Sequence, residues 1–147
     1  EPMLYPSLFF NTHRALYYEL LNEVRLRGDW ERWLDFLAEG IEASATQAVA
    51  TANALLALVN ADRDRIVGLG RAAASALEVH RALQRQPITT SAALVKATRL
   101  TPATVNKSLA HLEHIGVVGE VTNRKRGRVF SYLKYVGKLT AELEAPG

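Results

Sequence analysis

The sequence predicts a mainly α-helical protein, in which an N-terminal helical segment is followed by a domain with three helices, a two-stranded β-hairpin and a C-terminal helix. Three observations predict this fold class. Apolar residues recur at steps of three and four along most of the chain, which is the spacing of one helix face. Threonine, proline and glycine mark where several of these patterns begin and end. Residues 117–122 and 128–133 are instead rich in β-branched and aromatic side chains, as strands are.

The composition is that of a globular protein without thiol chemistry. Of the 147 residues, 48% are hydrophobic and 22% are charged, which excludes a disordered tail or a fibrous repeat. Because no cysteine occurs, disulfides, a thiol nucleophile and Cys-ligated metal sites are excluded, and a cytoplasmic location is favoured. No apolar stretch reaches the roughly 18 residues that a membrane-spanning helix needs. We therefore expect no membrane partner.

The net charge changes sign along the chain. Residues 1–69 contain six Lys or Arg against ten Asp or Glu, whereas residues 70–147 contain twelve Lys or Arg against five Asp or Glu. This asymmetry predicts two domains with different partners, 1–69 and 70–147, joined near the Gly-Leu-Gly sequence at residues 68–70. The basic domain is the candidate for binding a polyanion.

The acidic half is predicted to consist of amphipathic helices. The first begins near Asn11 and ends at Gly28, and Asp29 is placed to cap the second. An alanine-rich run over residues 43–61 forms a third helix or continues the second. The expected core face of the second helix contains Trp30, Trp33, Leu34, Leu37 and Ile41, and that of the alanine-rich run contains Val49, Ala52, Leu56 and Val59. The alanines permit close helix packing, either within this domain or against a second copy of the chain.

The basic half contains clear helix boundaries. A helix over residues 70–86 is stopped by Pro87, and Thr90 or Ser91 caps a short helix after it. Thr101 followed by Pro102 predicts the start of a further helix that runs to Ile115 and is closed by Gly116. Its expected buried residues are Val105, Leu109 and Leu112.

The helix that begins at Pro102 is predicted to present small and polar residues outward. With Val105 facing inward, a rotation of about 100° per residue turns Ala103, Lys107, Ala110 and His114 away from the core. The order of helix, short helix, turn, helix and basic hairpin is that of a winged helix-turn-helix, which binds duplex DNA in many proteins. The predicted DNA-contacting residues are Thr101, Thr104, Asn106 and Lys107 for the groove, and Arg124, Lys125, Arg126 and Arg128 for the phosphates.

Several segments resemble Fic-family proteins (filamentation induced by cAMP). The sequences at residues 4–10 (LYPSLFF), 17–21 (YYELL) and 28–34 (GDWERWL) are similar to the segment that follows the Fic catalytic motif. Residues 88–118 look like the winged helix-turn-helix at the C-terminus of many bacterial Fic proteins. Related winged helices often have glycine just before the position of Leu100, where φ tends to be positive, so the resemblance implies a strained or differently shaped turn at Arg99. The resemblance implies a parent protein that transfers AMP, or another phosphate-containing group, to a protein hydroxyl. It also implies that this chain is the region C-terminal to the active site, able to dock on a Fic core.

No catalytic site is expected in this chain. The Fic motif begins His-Pro-Phe and continues through Gly-Asn-Gly-Arg, whereas here His13 is followed by Arg14 and no segment matches. We predict no cofactor and no metal, and we interpret His111 and His114 as surface or partly buried residues rather than metal ligands. Two other interpretations remain open: a protein-interaction module that forms a homodimer through the N-terminal helices or docks on a Fic core, and a freestanding dimeric transcription regulator.

Overall fold

The computed structural model describes residues 6–124 and 127–141. The described part is mainly helical, as predicted, and includes a small antiparallel sheet. None of its helices is long and apolar enough to span a bilayer. In chain order the elements are α1 (Pro6–Thr12), α2 (Arg14–Arg27), α3 (Trp30–Val67), a 3-10 turn (Gly70–Ala72), α4 (Ala73–Arg85), β1 (Ile88–Thr90), α5 (Ser91–Thr98), α6 (Pro102–His114), β2 (Gly119–Glu120), β3 (Val129–Ser131) and α7 (Leu133–Thr140).

Contacts divide the described residues into two units, with the division between Asn53 and Ala54. The boundary predicted at residues 69 and 70 differs from this division because the last turns of α3 belong to the second unit. Ile66 is fully buried in the core of that unit, and Leu58 and Leu69 pack against the same core. The change in charge along the chain therefore does not coincide with the division by contacts.

Aromatic residues hold the first unit together. The ring of Phe36 on α3 is buried and lies 5.5 Å from the ring of Phe9 and 5.7 Å from that of Phe10, both on α1. Gly40, one turn after Phe36, makes this approach possible, because a Cβ at Gly40 would lie only 2.8 Å from Cδ1 of Phe9. Gly28 ends α2 in the left-handed conformation, as the sequence predicts.

The face of α3 that is covered differs from the predicted one. The second and third predicted helices form one continuous helix of 38 residues, which was one of the two alternatives. Its buried side chains in the first unit include Phe36 and Ser44, while Trp30, Leu34 and Ile41 of the predicted core stripe are exposed. The prediction was wrong here because the apolar surface of α3 is wider than the area that Phe9 and Phe10 cover.

The second unit is built around α4, α5 and α6. Its core contains fully buried aliphatic residues from each of these helices together with Phe130 and Tyr132. The sheet has the strand order β1-β3-β2 and is antiparallel throughout. The two predicted strands are thus present, though shorter than expected, and the predicted extended link at Ile88 is a third strand that pairs with β3.

A buried polar cluster joins four elements of the second unit. The Asp62 carboxylate, on α3, accepts a hydrogen bond from the Tyr132 hydroxyl at 2.8 Å and an ion-paired hydrogen bond from Arg65 at 3.0 Å. The same arginine donates to the backbone carbonyl of Ile115 at the end of α6. Nε2 of His80, on α4, lies 3.0 Å from the Tyr132 hydroxyl oxygen. Asp62 therefore fixes the end of α3 to α4, α6 and the residue that follows β3.

The hydrogen bonds of this cluster determine how His80 is protonated. Tyr132 has one hydroxyl hydrogen, which it donates to Asp62, so Nε2 of His80 must carry a hydrogen and donate to Tyr132. Nδ1 is then free to accept from the Gln84 amide at 3.4 Å. Burial lowers the pKa of His80 although Asp62 acts in the opposite direction, and burial raises the pKa of Tyr132, as does its hydrogen bond to Asp62. His80 is accordingly neutral at physiological pH.

Candidate nucleic-acid interface

The helix α6 begins and packs as its sequence predicts. The Thr101 hydroxyl caps it by accepting the backbone N–H of Thr104 at 3.2 Å, and Pro102 occupies the first turn, where its missing N–H costs no hydrogen bond. Three aliphatic residues on one face are almost completely buried, namely Val105, Leu109 and Leu112. These contacts anchor α6 and fix which of its residues face solvent.

The opposite face of α6 is exposed and carries little bulk. Ala103, Lys107, Ala110 and His114 are all exposed, which confirms the predicted orientation. Two alanines on this face leave the helix backbone accessible to a partner surface. A single lysine projects between them, so the face combines a small profile with one positive charge.

Some of the predicted groove-contacting residues already use their polar atoms in hydrogen bonds within the protein, and others leave polar atoms available to a ligand. The Thr101 hydroxyl is engaged in the cap and lies 2.8 Å from the Thr104 hydroxyl, so both threonines have a role within α6 itself. Asn106 is exposed, and its Oδ1 accepts a hydrogen bond of 2.7 Å from the Ser91 hydroxyl on α5. The amide of Asn106 keeps its NH₂ group and one lone pair for a ligand. Lys107 has an exposed ammonium.

Ser91 was assigned only a capping role from the sequence, and its contact with Asn106 was missed. The cap of α5 is formed by Thr90, whose hydroxyl oxygen accepts from the backbone N–H of Ala93 at 3.2 Å. Ser91 instead orients a candidate DNA-contacting side chain on the neighbouring helix. Fifteen positions separate the two residues, and no local sequence pattern reports such a contact.

The turn between α5 and α6 is strained at Arg99, which is one of the two outcomes that the resemblance to winged helices implies. Arg99 has φ 59° and ψ 15°, in the left-handed region, and its backbone N–H closes α5 on the carbonyl of Val95. The hydroxyl of Thr98 accepts the N–H of Leu100 at 3.3 Å, which stabilises this turn. Arginine is an unfavourable residue in this conformation, where glycine is not strained. Its side chain is exposed beside the start of α6.

A glutamate organises the β2–β3 hairpin. The Glu120 carboxylate accepts hydrogen bonds from the backbone N–H groups of Thr122, at 2.9 Å, and Asn123, at 3.1 Å, and also from the Thr122 hydroxyl. The hydrogen bond from the Thr122 hydroxyl is the main cause that lowers the pKa of Glu120 below its usual value. The hairpin extends beyond β2 through a bond from the N–H of Val121 to the carbonyl of Val129. The sequence predicted the hairpin but gave Glu120 no role.

The cationic residues of the hairpin lie at its tip and base. Arg124 is exposed at the tip, whereas Lys125 and Arg126 lie outside the described residues. Arg128 is at the base, with its guanidinium 4.8 Å from the centre of the Phe130 ring and 3.9 Å from the carboxylate of Glu113 on α6. This ion pair links the hairpin to the exposed side of α6. The sequence did not identify this contact of Glu113 with the hairpin.

No protein-family model matches this chain. Within residues 6–124 and 127–141, no three His, Asp or Glu side chains are grouped so as to hold a metal ion. The candidate site of the second unit is a surface of helix and hairpin residues: the exposed face of α6, Arg99 in the preceding turn, and Arg124 and Arg128 of the β2–β3 hairpin.

Proposed function

We propose that the second unit is a winged helix-turn-helix that binds duplex DNA. The observation that carries this proposal is the Arg128–Glu113 ion pair, because it sets a cationic hairpin beside the exposed face of α6. The order of the elements also supports it: α4, β1, α5, α6 and then the β2–β3 hairpin, in a sheet where β1 pairs with β3. In this fold α6 is the recognition helix and the hairpin is the wing.

The side chains of this surface suit two kinds of DNA contact, one with base edges in the major groove and one with the phosphate backbone. Ala103 and Ala110 allow α6 to enter a major groove, which is wide enough for one helix. Asn106 offers an amide to a base edge, with its orientation fixed by Ser91. Lys107 adds a cation at the groove. Arg124 and Arg128 supply cations for phosphates, and Lys125 and Arg126 add two more charges from the sequence. Thr101 acts mainly through the cap that holds the first turn of α6 in place.

We further propose that the chain is the C-terminal region of a Fic-type protein, and that DNA contact by this region targets the parent enzyme. The support is the sequence resemblance of residues 4–10, 17–21, 28–34 and 88–118. The catalytic motif is absent from this sequence, so any transfer of a nucleotide-derived group belongs to the parent protein.

The DNA-binding proposal is tested by fluorescence anisotropy with a labelled duplex over a range of salt concentrations. The variant Lys107→Ala, combined with Arg124→Ala, is expected to weaken binding and to reduce the slope of log K against log salt by about 0.9 for each lost phosphate contact. The matched control is Arg85→Ala, because Arg85 is also an exposed arginine of the second unit but lines a groove between α4, β1 and α5. The control should leave the slope unchanged.

Two results contradict the proposal. One is a wild-type chain that does not bind duplex DNA at low salt. The other is a loss of affinity that is equal per removed charge in the double variant and in the Arg85 control, which would indicate non-specific attraction to a basic protein rather than a defined surface. Circular dichroism spectra of all three chains establish that the substitutions leave the helices intact.

A further inference from the structure

The helix α3 carries an apolar strip that nothing in the described part of the first unit covers. Six residues recur at steps of four, four, three, four and four, which keeps them on one side of the helix: Trp30, Leu34, Ala38, Ile41, Ala45 and Val49. The four large side chains in this strip are between 48% and 61% exposed. Single exposed apolar residues are ordinary, but a continuous strip of roughly 30 Å along one helix marks an interaction surface.

We propose that a second copy of the chain covers this strip, with the two α3 helices antiparallel. The size of the side chains supports this arrangement because Leu34 and Ile41, two large residues of the strip, can each face an alanine of the second copy. An antiparallel register that sets Ile41 against Ala45 of the second copy also sets Leu34 against Ala52 of the second copy. In a parallel pair each large residue meets its own equivalent and each alanine meets an alanine, which leaves gaps between the helices.

Charge supports the same direction. Residues 30–42 contain four carboxylates and one arginine, and Glu31, Asp35 and Glu42 are exposed beside the strip, whereas residues 43–53 contain no charged residue. A parallel pair would bring the acidic segments of both copies together. The antiparallel pair sets each acidic segment against an uncharged one and so avoids this repulsion.

The area is sufficient for a specific dimer. Pairing along the strip would bury on the order of 1,000 Å² in total, which is near the lower limit for a specific protein interface. The pairing uses residues of α3 and none of α6 or the β2–β3 hairpin, so it does not depend on whether the second unit binds DNA.

Sedimentation of the full chain tests whether the dimer forms. The wild-type chain is expected at twice its mass of 16.2 kDa, and Ile41→Glu at the single mass, because the variant would bury two carboxylates in an apolar contact. The matched control is Thr46→Glu, which adds the same charge at an exposed position outside the strip and should remain dimeric. Ile41 is 48% exposed, so the variant chain keeps its helices, and circular dichroism establishes this.

Disulfide trapping tests whether the two α3 helices are antiparallel. Because the natural chain has no cysteine, only the introduced cysteines can cross-link. A mixture of Ile41→Cys and Ala45→Cys chains should form a mixed disulfide faster than either chain forms a disulfide with itself. A mixture of Leu34→Cys and Ala52→Cys chains should behave in the same way. Glu39→Cys, exposed on another side of α3, should cross-link at the slow rate of random encounter.

Three outcomes overturn the proposal. A wild-type chain that remains a monomer up to about 100 µM shows that a second copy does not cover the strip. A dimer that persists in Ile41→Glu uses another surface. Preferential self-linking of the Ile41→Cys and Ala45→Cys chains shows that the helices are parallel. None of these outcomes bears on DNA binding by the second unit.

Discussion

Replacing Tyr132 by phenylalanine tests whether the buried polar cluster holds the second unit together. The hydroxyl of Tyr132 lies 2.8 Å from the Asp62 carboxylate and 3.0 Å from Nε2 of His80, and no part of this tyrosine is exposed. The phenylalanine keeps the ring, and with it the stacking on Tyr135 at 5.2 Å. The variant therefore removes two hydrogen bonds while it preserves most of the packing.

The expected loss follows from the groups left behind. A hydrogen bond to a charged group contributes about 1.5–3 kcal/mol, and a buried donor without a partner, here Nε2–H of His80, costs about 1–3 kcal/mol. Because the two effects share one hydroxyl, and because side chains relax around the gap, we expect Tyr132→Phe to lower the free energy of unfolding by about 3 kcal/mol. Urea denaturation at pH 7.5, followed by circular dichroism, measures this difference.

Tyr135→Phe is the control, since it removes a hydroxyl from the neighbouring, partly exposed tyrosine, and a loss below about 0.5 kcal/mol is expected. Equal losses in the two variants would refute the reasoning.

The pH dependence of stability gives a second check. Burial lowers the pKa of His80, so the unfolded chain takes up a proton first as the pH falls below 6.5. Wild-type stability should therefore be full above pH 6.5 and fall below it, and His80→Gln should flatten this part of the profile.

Three further predictions concern single residues. Arg99→Gly should raise the free energy of unfolding by about 0.5–1 kcal/mol, measured in urea, because glycine relieves the left-handed strain, yet it should weaken DNA binding if the exposed guanidinium contacts a phosphate. Gly40→Ala should destabilise the first unit, because the new Cβ would clash with the ring of Phe9. The clash should outweigh the higher helix propensity of alanine, which is worth about 1 kcal/mol. A higher melting temperature in the variant would contradict this. The backbone amide signal of Thr122 should shift in NMR spectra when acid protonates the Glu120 carboxylate that accepts its hydrogen bond. Because the pKa of Glu120 is lowered, this shift should occur at a pH below the usual pKa of glutamate. The shift should be absent in Glu120→Gln.

The register of α6 was predictable because the signals that set it are local. Thr101 and Pro102 fix the first turn, and the apolar residues that follow lie three and four positions apart, so the buried and exposed faces could be assigned before any tertiary contact was considered. The positive φ of Arg99 was expected only from the resemblance to winged helices, in which glycine is common at this position. The DNA-contacting roles of these residues remain predictions.

The sequence by itself determined that α2 ends at Gly28, that α6 begins after Thr101 and which positions of α6 share a face, because these properties depend on residues within about one helical turn of each other. The tertiary structure alone decided which part of the wide apolar surface of α3 is covered, since that depends on Phe9 and Phe10 of another helix. It also decided that the buried Asp62 carboxylate accepts a hydrogen bond from the Tyr132 hydroxyl. Tyr132 lies 70 positions away in the sequence, and only the packed core brings the two residues together.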